Sequence, residues 1–152
     1  MHIYKVGSTV KWLSAAAALW LGAVAHAQMT PVGAWNTIDD KTGEVKSEVV
    51  IVDTNGVLSG KVNKVLSKTA KPDALCDACT DERKGKPLLG LEIIRGLKKT
   101  EGEDLWEAGQ ILDPESGKTY TLRVRPLEDG KKLQVRGYIG PFYRTQVWVR
   151  AQ

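Results

Sequence analysis

Histidine is nearly missing from this chain. Its two copies, His2 and His26, both lie before Gln28. Residues 28–152 therefore cannot assemble a Ser-His-Asp or Cys-His catalytic pair, nor a Cys₂His₂ zinc site. Cysteine is confined to Cys76 and Cys79, too few for a Cys₄ site. None of the serines Ser47, Ser59, Ser67 and Ser116 stands in a Gly-x-Ser-x-Gly elbow. No stretch after Pro31 has a helical period of useful length, and none is apolar for long enough to span a bilayer. A large charge of one sign is lacking too. The formal charge is +4, and two of the positive residues, Lys5 and Lys11, stand at the N-terminus. What remains without them is too weak to suggest nucleic acid or an anionic membrane as a partner.

The first 27 residues carry those two lysines and no acid, then an apolar run from Trp12 to Ala25, then Ala25-His26-Ala27. This is the pattern of a secretory signal cleaved after Ala27. The run is about 14 residues, short of the roughly 20 a membrane-spanning helix needs. The expected mature protein is a single domain, residues 28–152. It is exported, periplasmic or secreted, and has no transmembrane segment.

From Pro31 onward, turn signals recur at hairpin spacing: Asp-Asp-Lys-Thr-Gly43, Asp-Thr-Asn-Gly56, Lys-Lys-Thr-Glu-Gly102, Pro-Glu-Ser-Gly117 and Glu-Asp-Gly130. Between them lie segments rich in Val, Ile, Leu, Thr, Tyr and Trp. They predict strands over 32–38, 44–52, 57–66, 89–97, 105–113, 119–125, 132–139 and 144–150. In "KTYTLRVR", Tyr120, Leu122 and Val124 share one face, and Thr121, Arg123 and Arg125 the other. Sequential antiparallel strands with exposed edges favour closure. The expected fold is all-β, an antiparallel up-and-down barrel of about eight strands, with a two-sheet sandwich as competitor. One connection is long: Ser67–Pro87, which holds both cysteines and has room for one helical turn.

Gly33-Ala34-Trp35 on the first strand and Trp148-Val149-Arg150 on the last resemble the lipocalin-type barrel. There a tryptophan at the closed end is covered by a basic side chain from the end of the chain, so Trp35 and Arg150 are the expected closing pair. A wider set is similar to the bacterial secreted family of domain of unknown function 2147. It comprises "GAWNTIDDKTG" (33–43), "NGVLSGKV" (55–62), "CDAC" (76–79), "PLLGLEII" (87–94), "AGQILDPESGKTY" (108–120), "VRGYIG" (135–140) and "RTQVWVR" (144–150). The resemblance implies a lipocalin-like barrel and an exported location, and no reaction. The chain departs from it at Pro141-Phe142-Tyr143, where members often carry glycine before the Arg-Thr-Gln segment.

An oxidising compartment favours a Cys76–Cys79 disulfide. The flanking acids Asp73, Asp77, Asp81 and Glu82 disfavour the thiolate a redox pair needs. A redox pair and half of a metal site stay as alternatives. The carboxylate pairs Asp39/Asp40 and Asp113/Glu115 are the candidates for acid–base work, but both flank turns, where aspartate ordinarily accepts from backbone N–H groups, and Asp53-Thr-Asn55-Gly56 reads as a hairpin turn. No catalytic residue, metal ligand or cofactor is expected. The remaining candidates are basic and aromatic. Arg136 and Tyr138 share one face of their strand, and Arg144, Gln146, Trp148 and Arg150 share one face of the last. Facing outward, they would make a solvated ladder of cation–π contacts. Facing inward, Arg136 and Tyr138 would hold the carboxylate or phosphate of a ligand whose apolar part lies in the core above a floor made by Trp35, with Tyr120 and Trp148 as further ligand-binding candidates. Three functions follow. The favoured one is an exported barrel that binds a small, partly apolar or amphipathic ligand without catalysis. The second is a cell-envelope interaction module with a filled barrel, docking a protein partner through the 67–87 loop. The third is a thiol redox protein.

Overall fold

The computed structural model describes residues 29–152; the secretory signal expected over 1–27 lies outside the described residues. Eight strands follow one another: β1 (Gly33–Ile38), β2 (Val45–Thr54), β3 (Val57–Val65), β4 (Glu92–Lys99), β5 (Trp106–Leu112), β6 (Thr119–Leu127), β7 (Lys132–Ile139) and β8 (Phe142–Arg150). Each pairs antiparallel with the next, and β8 returns to β1, closing the barrel. The sandwich alternative is excluded. Closure leaves no strand at the edge of an open sheet, although the β1–β8 seam is short, pairing Trp35 with Arg150 and Asn36 with Val149.

Turn chemistry sets the connections. Asn55 (φ 54°) and Gly56 (φ 83°) make the two-residue turn between β2 and β3, and Asp53 Oδ1 accepts from Gly56 N at 2.7 Å. Two turns at the other end are copies of each other. Gly43 N donates to Asp39 O, and Gly117 N to Asp113 O, both at 2.8 Å. Each aspartate side chain also accepts from the backbone two residues on. The matching turns are Asp39–Gly43 and Asp113–Gly117. The β7–β8 hairpin turns on Gly140-Pro141 and pairs Ile139 with Phe142, so the departure at Pro141–Tyr143 leaves a regular hairpin.

The turns after β2, β4 and β6 gather at one end with Gly33 and Arg150; those after β1, β5 and β7, with the long β3–β4 connection, gather at the other. The first end is packed solid. Trp35, Ile51, Leu58, Leu97, Leu122, Val124, Pro126 and Leu133 are fully buried there. Trp35 Nε1 donates to Pro31 O at 2.7 Å. The Arg150 guanidinium lies 4.1 Å from the Trp35 ring centroid. Its Nε, Nη1 and Nη2 donate to the carbonyls of Gly130 (2.6 Å), Val32 (3.1 Å) and Thr30 (3.0 Å). Gly33 adopts φ 125°, and a Cβ there would stand 2.6 Å from Arg150 Nη1. The glycine of Gly-x-Trp is thus required by the arginine that covers the tryptophan.

The 66–91 connection contains turns and one isolated bridge, Leu75 to Pro87, with no helical turn. The Cys76–Cys79 disulfide is formed and both residues are fully buried. Cys76 N donates to Lys86 O (2.8 Å), and Gly85 N to Cys76 O (2.9 Å). The disulfide segment lies on the β5–β6 turn. A Cβ at Gly117 would meet Ala78 O at 1.8 Å, and only glycine permits that contact.

Candidate functional site

Above the packed layer the barrel opens into a cavity of ≈ 520 Å³. That lies within the usual range for small-molecule sites, roughly 300–1,000 Å³. Its deepest lining comes from mid-strand residues Val62, Val135 and Trp148, all nearly fully buried. Ile93, Ile111, Leu112, Val65, Leu88 and Tyr120 form the walls. Val62, Tyr120, Val135 and Trp148 are inward positions set by period-two alternation, whereas Leu88 comes from the β3–β4 connection and Ile111 and Leu112 are neighbours at the end of β5. The cavity exists because glycine and medium-sized aliphatics occupy the upper layer, where Gly137 and Val135 stand above the Leu133 layer.

The mouth is charged, and most of its charges are paired; Lys41 and Asp113 take part in no ion pair among the described residues. Arg144 binds Asp40 through Nε (2.8 Å) and Nη2, and Gln146 Nε2 reaches the same carboxylate oxygen at 3.2 Å. Trp148 Nε1 donates to Gln146 Oε1 at 3.1 Å, which ties the cavity floor to the rim. Next to Asp40, Asp39 lies 3.8 Å from Lys46, which pairs with Glu115. The backbone N–H groups of Thr42 and Lys41 hold the Asp39 carboxyl below its ordinary pKa, with Lys46 adding a smaller effect. Asp40 raises the pKa of Arg144, chiefly by hydrogen bonding to it. An apolar chamber under a paired, hydrogen-bonding rim suits an amphipathic ligand whose polar end stays at the surface.

The sequence-predicted site residues divide. Tyr120 and Trp148 line the cavity. Arg136 and Tyr138 do not; they point outward, where Arg136 stacks on Tyr143 (4.8 Å) and Arg123 on Tyr138 (5.7 Å). Arg136 Nε also donates to Thr145 Oγ1 at 2.8 Å. The reason is the two-residue turn. Pairing Ile139 with Phe142 sets Arg136 opposite Thr145 and Tyr138 opposite Tyr143, so Arg136 and Arg144 fall on opposite faces. The expected stripe is really two: an outer cation–π ladder and an inner Arg144–Gln146–Trp148 row. Trp35 is not the ligand floor either. It lies within the solid layer with Arg150 over it, and Trp148 takes the floor position. The sequence alone singles out Asp40 only as one of a carboxylate pair and Lys46 not at all, because the pairings Asp40–Arg144 and Lys46–Glu115 join residues 104 and 69 apart. The carboxylates at Asp39 and Asp113 hold turns. The buried disulfide lacks the exposure of a reactive thiol pair.

No helix among the described residues is long and apolar enough to cross a membrane. No group of three or more metal-ligating side chains occurs among them. A search of curated proteins returned no match. Among solved structures, protein HP1028 from the human pathogen Helicobacter pylori, described as belonging to the lipocalin family, superposes with a TM-score of 0.69. The two are 18% identical, and the match covers 82% of this chain and 85% of that one. This likeness shows the fold, a lipocalin-like barrel. Residues 33–150 match the family model described as uncharacterized protein conserved in bacteria (DUF2147), and the chain belongs to that family.

Proposed function

We propose that this protein is an exported carrier or sensor that holds one small amphipathic molecule in the barrel and performs no chemistry on it. The observation that carries this reading is the ≈ 520 Å³ chamber, with Trp148, Val135 and Val62 below and the Asp40–Arg144–Gln146 network at its mouth. An apolar tail would displace water from the lower chamber, a gain of roughly 25 cal/mol per Å² of apolar surface covered. The head would exchange hydrogen bonds with a rim that already holds its own charges in place. Export rests on the N-terminal lysines, apolar run and Ala-x-Ala of the sequence.

The test is a pair of mass spectra, native and denaturing, of protein exported to the periplasm and purified without detergent. The expected result is an added mass present natively and lost on denaturation, on a chain that begins at Gln28. A bare chain that also fails to take up amphiphiles in vitro would turn the reading toward an interaction module.

A further inference from the structure

We propose that a second pocket, on the outer wall of the barrel, is a site for a compact phosphate-type oxyanion. This pocket, ≈ 290 Å³, lies between β3, β4 and the long connection, and is lined by Lys61, Arg83, Lys86, Glu92 and Arg95, with Leu89 among the apolar residues beside them. It shares no lining residue with the barrel cavity.

Glu92 organises the cluster. Lys61 stands opposite it across the β3–β4 ladder. Arg83 Nη1 donates to its carbonyl oxygen at 2.9 Å, and Arg95 Nε pairs with its carboxylate. Lys86 closes the tight turn begun by Arg83, its N–H donating to Arg83 O at 3.0 Å. The carbonyl of Lys86 accepts from Cys76, so the disulfide segment holds the backbone from which the Lys86 side chain extends.

The charges do not balance internally. The carboxylates Asp81, Glu82 and Glu92 are each engaged by Arg83 or Arg95. Lys61 and Lys86 have no acidic partner among the described residues. The Arg83 side chain is only 6% exposed, held by Asp81 and Glu92. A guanidinium has five N–H groups, so a second N–H on each of Nη1 and Nη2 is left without an internal acceptor. Four cations from three separate chain segments thus border one small polar pocket. A planar carboxylate is matched by one arginine fork; donors from several directions suit a tetrahedral oxyanion. The volume admits inorganic phosphate or a small phosphomonoester. It places the long loop's purpose in the pocket it builds, with the disulfide as its staple.

The test uses the mature chain and a Lys61→Gln/Lys86→Gln variant. Both lysines are exposed and unpaired, so the fold is retained, which circular dichroism checks. Inorganic phosphate and glycerol 3-phosphate are titrated at constant ionic strength, followed by ¹⁵N chemical shifts of residues 83–95. Saturable shifts with inorganic phosphate, about tenfold weaker in the variant, support a site for the free anion. Saturation by glycerol 3-phosphate alone, with the same loss, supports the same site serving a phosphomonoester. No saturation by either, or equal affinity in the variant and the wild type, overturns the proposal. A Lys131→Gln control, on the β6–β7 turn, should bind as the wild type does.

Discussion

Arg150 and Arg144 lie on the same strand and the same face, six residues apart, yet they do different work. Arg150 gives its three nitrogens to backbone carbonyls and covers the Trp35 ring, and burial pushes its pKa down. Arg144 is 64% exposed and holds Asp40 at the edge of an open chamber. The two ends of the barrel differ in the same way. At the Arg150 end, side chains fill the interior and polar groups are consumed by structure. At the Arg144 end, side chains do not fill the interior, and polar groups are arranged around the entrance. On the proposed reading, the packed end supplies stability and the open end meets the ligand.

This contrast is broken most severely at Trp35. Trp35→Ala empties the fully buried layer and should lower the unfolding free energy by about 3–5 kcal/mol in urea titration. A loss below about 1 kcal/mol would mean that the closed end is not the stabilising half. Next in size is the arginine pair itself. Arg150→Ala strands three carbonyls and should cost about 2–3 kcal/mol, whereas Arg144→Ala should stay within about 0.5 kcal/mol. Equal losses would erase the distinction between the ends. Third, Cys76→Ala with Cys79→Ala should cost about 2 kcal/mol by loop entropy. Hydrogen exchange should rise across residues 67–91 while the strands stay protected. Uniform loss of protection would show that the loop is part of the barrel's cooperative unit. The smallest effect concerns pH at the mouth. Asp39 has its folded pKa held below 3.8, so its contribution is present above that value and fades as pH falls through the lower folded value. Asp39→Ala should therefore be less stable than the wild type at neutral pH, with the gap closing below about pH 4. A gap that stays constant to pH 2 would remove that role.

The sequence carried much of this architecture because its signals were local. Asn55-Gly56 can take positive φ at both positions, and it makes the turn expected of it. Alternation in "KTYTLRVR" put Leu122 and Val124 inside and Arg123 and Arg125 outside, as the structure has them. The Trp35–Arg150 pair joins residues from the two ends of the described chain, and the family resemblance brought it into view. Register between strands was harder. Arg136 and Arg144 were set on one stripe, but a two-residue turn makes the paired numbers odd against even. The apolar alternation Leu133, Val135 already marked Arg136 as outward and would have corrected this. The Asp40–Arg144 and Lys46–Glu115 pairs had no local signal, since strand order and shear brought them together. Nor does an empty chamber appear in a sequence. It is a difference between the volume a closed barrel encloses and the volume its inward side chains fill.

The most direct measurement is the titration of a neutral apolar fluorophore, N-phenyl-1-naphthylamine, into the wild type and a Val65→Trp/Ile111→Trp variant. Both positions line the chamber and neither is fully buried, so indoles there fill the space without entering the solid layer. The account predicts saturable binding near one fluorophore per chain in the wild type, lost in the filled variant while its melting temperature is kept. A Val52→Trp control on the outer face should bind as the wild type does. No saturable binding by folded wild type, or undiminished binding by the filled variant, would contradict it.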